Sequence, residues 1–243
     1  MNEMTVRKSN RPLRATAPSK RAKPAKEAAG KQAVTRQRSI AKLLKAGEAI
    51  FAKRGFDGAT TGEIAAKAKV PKATLHYYFK TKEDLYTAVI HRILTIWMSA
   101  ADDVQMEADP GEALSRYIAK KLDYSRKSPE LARLWAMELL GGARHIKPFL
   151  RSRARHLMEE KRAVIRSWIA AGKMDPVDPD HLFFLIWAAT ERYAASSAEM
   201  ELVLKESRLT AAVFDEAVRT TTQIILKGVG IAERRFEAAK RRA

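Results

Sequence analysis

The chain has 243 residues, a formal net charge of +18 and no cysteine. The absence of cysteine excludes disulfides, thiol catalysis and Cys-ligated zinc or iron–sulfur sites. The longest apolar run, residues 182–189, is too short to cross a bilayer, and the N-terminus lacks the apolar region of a secretion signal. We therefore expect a cytoplasmic protein with no membrane partner, built as one large domain or two modest ones.

The first predicted segment, residues 1–34, is a flexible basic arm. Nine Lys and Arg residues face only Glu3 and Glu27 within the first 35 residues, and three prolines interrupt the segment. With few apolar residues it cannot bury enough surface to fold alone. Such a cationic segment favours nucleic acid as partner, and the alternative is a solvated tail without a specific role. A second basic segment, residues 233–243, is predicted as a tail.

The first predicted helix runs from about Thr35 to Arg54 and ends at Gly55, a residue typical of helix C-termini. Thr60 then starts a second helix, because its hydroxyl can accept from the backbone N–H of Glu63 while the Glu63 carboxylate reaches back to the Thr60 N–H. Pro71 ends that helix and opens a third one.

The third predicted helix, Lys72 to Tyr78, turns Leu75 toward a small core and leaves a polar face outside. That face carries Lys72, Ala73, Thr74, His76 and Tyr77. These side chains offer donors for base edges and phosphates and one small residue for close approach, which suits the major groove of DNA. We also expect Thr60 and Thr61 to contact phosphate at a helix N-terminus, and Lys82 to hold a phosphate.

This stretch resembles the helix-turn-helix domain of the TetR family of transcriptional regulators. The resemblance rests on Phe51-Ala52, Gly55-Phe56, Thr60-Thr61, Ile64-Ala65, Thr74-Leu75, Tyr78-Phe79 and Lys82-Glu83-Asp84-Leu85. Two positions depart from the family pattern. Lys69 stands where the family usually has Gly, so this turn is either strained by about 1 kcal/mol in the left-handed region or shaped differently. His76 stands where the family often has Tyr.

The rest of the chain predicts an all-α protein, because apolar residues recur at helical spacing and no segment alternates like a strand. A fourth helix begins near Lys82, and later helices are expected over residues 110–124, 129–140, 145–171 and 181–204 and after Thr210. The predicted organisation is a helix-turn-helix domain over residues 35–81 and a helical ligand-binding and dimerisation domain over residues 82–232.

The helix predicted from His181 to Leu204 is apolar on more than one side. Its second apolar face must meet the core of its own domain or a partner. In TetR-like proteins the last two helices pack against those of a second copy, so the resemblance implies a homodimer that binds a palindromic double-stranded DNA operator.

Four tryptophans lie outside the helix-turn-helix domain: Trp97, Trp135, Trp168 and Trp187. Aromatic walls with a few polar groups suit a small planar ligand, although a place in the hydrophobic core is the more common role for any single tryptophan. Glu138 and Glu191 are carboxylates within apolar helices and need partners. Glu191 could pair with Arg192 or another base, or bind a ligand. The predicted ligand-binding residues are Trp97, Trp135, Glu138, Trp187 and Glu191.

The C-terminal half also resembles the pyrimidine-responsive branch of the family, over residues 93–97, 133–138, 178–182 and 186–194. This resemblance implies uracil, thymine or a similar planar heterocycle as small-molecule effector. The branch carries a neutral amide where this chain has Glu191. An ionised carboxylate accepts but does not donate, so an effector richer in donors, such as an aminated base, is an alternative.

No motif of an enzyme, a metal site or a cofactor site is present in the sequence. Asp175, Asp178, Asp180 and His181 cluster, but their roles before prolines and at a helix start are sufficient to explain them. We predict a regulator that is not an enzyme and has no cofactor, most simply a repressor released by its effector. The alternatives are an architectural DNA-binding protein without effector and a helical interaction module.

Overall fold

The computed structural model describes the backbone of residues 23–231 and the side chains of residues 33–231. Most of the predicted basic arm and the whole predicted basic tail therefore lie outside the described residues. The chain divides into two compact units, residues 1–40 and residues 41–243. The described part of the first unit is the N-terminal portion of the first helix, and the second unit contains both apolar clusters and the cavities described below.

The described residues form helices and turns without a β-strand, so the all-α prediction is confirmed. The helices are α1 (Lys23–Gly58), α2 (Thr61–Ala68), α3 (Lys72–Tyr78), α4 (Lys82–Ala100), α5 (Pro110–Lys127), α6 (Pro129–Leu140), α7 (Lys147–Phe149), α8 (Arg155–Ala170), α9 (Pro179–Ala195), α10 (Ser197–Leu204) and α11 (Ala211–Gly228). A 3₁₀ turn, Ala101–Asp103, follows α4, and a π-helical segment, Leu150–Ala154, precedes α8.

Helix α1 begins at Lys23, twelve residues before its predicted start at Thr35. The sequence explains the difference, because Pro24 lies in the first turn, where proline is well tolerated. Residues 25–33 are mostly Ala, Lys, Glu and Gln, which are good helix formers. At the other end α1 extends to Gly58, three residues past the predicted stop. Gly55, the predicted stop, has φ 67° and kinks the helix there.

Hydrogen bonds close both ends of α2, and those at its start are the predicted ones. The Glu63 N–H donates to Thr60 Oγ1 at 3.2 Å, and the Thr60 N–H donates to Glu63 Oε2 at 3.3 Å, which completes the capping box. Lys69 is left-handed, with φ 54°, and its N–H and that of Val70 close the end of α2 on Ala66 O and Ala65 O. The turn therefore keeps the left-handed shape with a side chain, at a cost of about 1 kcal/mol.

Two apolar clusters form the core of residues 41–231. The first joins α1, α2 and α3 to α4 and α6, through buried residues such as Leu75, Leu85, Val89 and Leu134. The second joins α5, α8, α9 and α11. Helix α4 thus shares one core with the helix-turn-helix, and its C-terminal end continues into Ala100 and Ala101 of the other core.

Three predicted helices differ in detail from the structure. The helix predicted over residues 145–171 begins as α7 and a π-helical segment before α8 becomes regular. The helix predicted over residues 181–204 is two helices, α9 and α10, with a break at Ser196, whose φ of −124° and ψ of 36° are not helical. Thr210 precedes α11 as predicted, but its side chain makes no capping hydrogen bond.

None of the described helices is both long enough and apolar enough to span a membrane.

Candidate functional site

The outer face of α3 is formed by the predicted residues. Lys72, Ala73, His76 and Tyr77 are exposed, Tyr77 by 78%, and Thr74 is half-buried. The face is held in place by Leu75, which is fully buried in the first cluster. Burial of such a leucine contributes roughly 1.5–3 kcal/mol. A short helix is thereby anchored by one side while its polar side stays free for a partner.

Thr60 and Thr61 lie at the start of α2, with Thr60 exposed and Thr61 half-buried. The Thr60 hydroxyl serves the capping box and also donates to Glu63 Oε2 at 3.1 Å. An anion at this position would therefore be met by the helix N-terminus and the Thr61 hydroxyl more than by the Thr60 hydroxyl.

Lys82 has an intramolecular role that the sequence did not indicate. Its Nζ donates to Asp57 O at 3.3 Å and to Ala59 O at 3.1 Å, and lies 4.5 Å from the centroid of the Phe56 ring. Lys82 thus connects the first turn of α4 to the end of α1. Since an ammonium has three N–H groups, a phosphate contact remains a prediction beside this role.

Two exposed lysines flank α3 and were missed as contact candidates, Lys69 before it and Lys80 after it. The signal for both was available, because cations that border a recognition helix commonly bind phosphates.

A cavity of about 300 Å³ lies beside the C-terminal half of α4. Three of the predicted tryptophans line it, and Trp97 and Trp135 pack edge to face with centroids 5.0 Å apart. Trp187 donates from Nε1 to the Tyr117 hydroxyl at 2.6 Å. The cavity walls are otherwise largely apolar, with Leu94, Met98, Leu139, Phe149, Leu157, Met158 and Phe183 among them. Its size and lining are typical of small-molecule sites.

Glu191 reaches the same cavity and is paired there with Lys121. The Lys121 Nζ lies 3.1 Å from Glu191 Oε1 and 4.3 Å from the centroid of the Trp97 ring. Arg192, the other partner considered from the sequence, pairs with Glu199 instead. Burial lowers the pKa of Lys121, and the Glu191 carboxylate opposes that effect.

Glu138 does not line this cavity, which corrects its predicted position beside the tryptophans. It accepts from the Tyr86 hydroxyl at 2.9 Å and from the His145 N–H at 2.7 Å, and it lies 3.0 Å from His145 Nδ1. Burial raises the pKa of Tyr86, and the hydrogen bond to Glu138 adds to the effect. These residues border a second cavity of about 270 Å³ next to Phe56. We call Tyr86, Glu138 and His145 the Glu138 cluster.

Trp168 also lies apart from the cavity. It is buried in the second apolar cluster, and its Nε1 donates to Met106 O at 3.2 Å.

Two cavity lysines, Lys121 and Lys161, were missed by the sequence reasoning. Both lie on the buried stripe of their helix: Lys121 follows Tyr117 by four residues, and Lys161 precedes Ile165 by four. A lysine at such a position is rarely buried without a partner. A lysine on the apolar stripe of a predicted helix could therefore have indicated a buried polar site.

The predicted structural roles near the start of α9 agree with the geometry. Asp178 caps the helix by accepting from the His181 N–H at 3.0 Å, and Asp180 pairs with Arg162 at 2.6 Å. Within the described ranges, no group of three metal-ligating side chains is placed to hold an ion.

The outer faces of α9 and α11 carry exposed apolar side chains. Phe184, Leu185 and Ile224 are exposed by 50%, 56% and 63%. Leu182, Phe183 and Ile186 of the same α9 segment are buried in the second cluster. The helix therefore has both an inner and an outer apolar face.

An anchored α3 with a polar outer face, a capped α2 and a larger helical domain define a helix-turn-helix transcriptional regulator. The comparisons with known proteins agree. Residues 43–89 match the model for bacterial regulatory proteins of the tetR family, and residues 90–232 match the model for the C-terminal region of YcdC-like proteins. The chain belongs to the TetR family of transcriptional regulators, which are not enzymes.

Similar proteins cover most of the chain. The HTH-type transcriptional regulator RutR of Escherichia coli K12 is 37% identical over 187 residues, which is 77% of this chain and 88% of that protein. The HTH-type transcriptional repressor NicS of Pseudomonas putida is 32% identical over 145 residues, 59% of this chain and 68% of NicS.

Solved structures share the fold. The TetR family regulator PfmR of Thermus thermophilus aligns with a TM-score of 0.59 at 19% identity, covering 76% of this chain and 93% of PfmR. A TetR-like regulator of Rhodococcus aligns with a TM-score of 0.56 at 23% identity, covering 78% and 94% of the two chains.

Proposed function

We propose that this protein is a repressor that binds a palindromic operator as a homodimer and releases it when a small planar heterocycle occupies the α4 cavity. The observation that carries the proposal is that one helix, α4, joins both sites. Its first residue, Lys82, is bonded to the end of α1, and its Trp97 lines the cavity. Fifteen residues separate them, which is about 22 Å along the helix.

DNA recognition is assigned to α3 and its surroundings. Lys72, Thr74, His76 and Tyr77 supply donors toward base edges and phosphates, and Ala73 permits close approach. Thr60, Thr61 and Lys82 position the domain on phosphates. The strongly basic charge of the chain adds a sequence-independent attraction to DNA.

Release follows if the effector favours one orientation of α4. A ligand that packs between Trp97, Trp135 and Trp187 changes the position of α4 relative to α6, and the Lys82 contacts carry that change to α1 and α2. Occupancy must be tighter in the released state than in the DNA-bound state, since equal affinity for both states would change nothing.

The homodimer is assigned to the exposed apolar faces of α9 and α11. Phe184, Leu185 and Ile224 offer apolar surface that a second copy would remove from water. A two-fold dimer places two α3 helices in successive major grooves, so operator half-sites should be about one helical turn apart or somewhat more.

The effector class is assigned from the cavity and from the resemblance to the pyrimidine-responsive branch. Three tryptophans provide flat walls, and the Lys121–Glu191 pair provides a donor and an acceptor at one end. Uracil, thymine and aminated pyrimidines present complementary donors and acceptors on a planar ring.

The test is a titration of operator binding by fluorescence anisotropy, with and without pyrimidines, on an operator located by footprinting. We expect a short protected palindrome, weaker binding for Lys72→Met than for wild type, and normal binding for the control Lys173→Met, an exposed lysine far from α3 in sequence. Broad protection without sequence preference would instead identify an architectural DNA-binding protein.

The dimer has its own test. Leu185→Asp places a charge on the outer face of α9 and should convert the protein to monomers by sedimentation velocity, with loss of operator binding. Ser207→Asp, which places the same charge at an exposed position after α10, serves as the control. A Leu185→Asp protein that stays dimeric would place the interface elsewhere.

A further inference from the structure

The cavity beside α4 contains two buried lysines and one carboxylate. Lys121 and Lys161 are 4% and 6% exposed, whereas the Glu191 side chain is 26% exposed. All three line the same space. The Lys121–Glu191 pair is close to neutral, so the charge of Lys161 determines the net charge of the cavity.

Lys161 has a hydrogen-bond partner but no counter-ion. Its Nζ donates to Val104 O at 3.0 Å. Among the described residues, no carboxylate lies within 4 Å of it; the neighbouring Asp103 pairs with Lys120 and Arg116, and Glu160 with His156. An ammonium has three N–H groups, and an isolated buried charge is expensive unless paired. The cavity therefore holds one more cation than anion.

An anion inside the cavity would remove this imbalance. A carboxylate accepts several hydrogen bonds and pairs strongly with a buried ammonium. The remaining walls are aromatic or aliphatic, with Trp97, Trp135 and Trp187 among them. Those walls favour a flat, apolar body of one or two rings in a volume of about 300 Å³.

We infer that the effector is a planar aromatic or heteroaromatic carboxylate, whose acid group binds at Lys161 and whose ring packs among the tryptophans. This inference rests on the proposed effector function of the cavity and narrows its ligand class. It places an acidic pyrimidine ahead of the neutral bases. The Lys121–Glu191 pair then contacts polar groups of the ring, with Lys121 available as a second donor.

The test is a calorimetric titration of the full-length dimer with pairs of compounds that differ only in charge. Orotate is compared with orotamide, and benzoate with benzamide. We expect the acid of at least one pair to bind at least about tenfold more tightly than its amide, the effect of one charge-assisted hydrogen bond. Equal or tighter binding of the amides, or no binding of any of the four, would overturn the inference.

A matched pair of lysine variants locates the effect. Lys161→Met keeps the length of the side chain but removes the charge, and it should abolish the preference for the acid while affinity for the amide changes by less than about twofold. Lys173→Met, a change at an exposed lysine outside the cavity, should retain the preference. Retention of the preference in Lys161→Met would contradict the assignment of the acid group to Lys161.

Operator affinity without ligand is measured on the same preparations. A protein that binds its operator but prefers amides keeps the proposed repressor function and loses only this inference. A protein that binds no operator fails the proposed function, whatever the titrations show. Should Lys161→Met fail to fold, Lys161→Arg, which retains the charge and should retain the preference, and the acid–amide comparison on the wild-type protein decide the inference.

Discussion

The α3 face and the α4 cavity place their polar groups in opposite ways. The α3 region takes its candidate contacts from one contiguous stretch, residues 60–82, and leaves most of them in water. The cavity takes its groups from six helices spread over residues 94–191 and buries its two lysines. Substitution in the first region should therefore alter DNA binding with little effect on folding, while substitution in the second should alter stability and ligand binding together.

The Glu138 cluster resembles the cavity in that its polar groups are buried and come from segments distant in sequence. It joins Tyr86 of α4 to His145 after α6, and both rings pack against Phe56 near the end of α1. All three side chains share one hydrogen-bonded arrangement, so we expect it to hold α4 in place rather than to bind effector.

The largest expected effect concerns this cluster. Glu138→Ala leaves the Tyr86 hydroxyl and the His145 N–H without their acceptor, and should lower the free energy of unfolding by about 3 kcal/mol. Urea denaturation of wild type and variant measures it. Glu159→Ala, an exposed carboxylate on α8, is the control and should change stability by less than about 0.5 kcal/mol. A Glu138→Ala protein as stable as this control would contradict the comparison.

The next effect lies on the α3 face. Tyr77→Ala should weaken operator binding by about 1–3 kcal/mol and leave the melting temperature nearly unchanged, because 78% of the side chain is exposed. Anisotropy titrations and a thermal melt on the same sample give both quantities. Tyr77→Phe separates the hydroxyl from the ring. If Tyr77→Ala loses stability instead of affinity, α3 is packed against protein and is not the DNA-binding face.

A smaller effect distinguishes the two members of the Lys121–Glu191 pair. Glu191→Gln leaves Lys121 buried without its counter-ion and should lower the free energy of unfolding by about 1–2 kcal/mol, whereas Lys121→Met replaces a buried charge by an apolar chain and should be neutral or stabilising. Thermal and urea denaturation compare them. Equal losses in both variants would show that the pair stabilises the fold as a unit.

The difference in stability between the wild type and Lys121→Met should depend on pH, because Lys121 is buried. Burial holds the pKa of Lys121 below its ordinary value of 10.5. Between the folded pKa and 10.5 the unfolded chain binds more protons than the folded one, so the stability of the wild type rises with pH across that window. Its deficit relative to Lys121→Met should therefore shrink as the pH is raised toward 10.5, as measured by urea denaturation at several pH values.

The smallest effect concerns the residues that precede α1. Residues 1–22 contain six Lys and Arg residues and one Glu. Their deletion should leave the melting temperature unchanged and reduce operator affinity more at low salt than at high salt. The slope of log affinity against log salt should flatten by about 0.9 for each phosphate that the segment neutralises in the full-length protein. An unchanged slope would mean that the segment does not bind DNA.

Local patterns in the sequence were enough to predict most of the helices and the outer face of α3. Thr60 and Glu63 cap α2 through hydrogen bonds between residues three apart, and Pro71 and Gly55 act on their own backbone. Such features depend on near neighbours, so the sequence alone specifies them. The early start of α1 was missed because the basic charge and the prolines of residues 1–34 outweighed the good helix formers of residues 25–33 in the prediction. The break at Ser196 was missed because no Gly or Pro marks it in the sequence.

The cavity was decided by tertiary structure. The sequence determined that Trp97, Trp135, Trp187 and Glu191 lie on inward faces of their helices, but it did not determine which of those faces meet. Packing placed Glu138 against Tyr86 and His145 instead, and it brought Lys121 and Lys161 to the same space. The reason is physical: a buried charge is placed by partners 50 to 70 residues away in sequence, and helical periodicity reports only that a side chain is inside, not what it meets there.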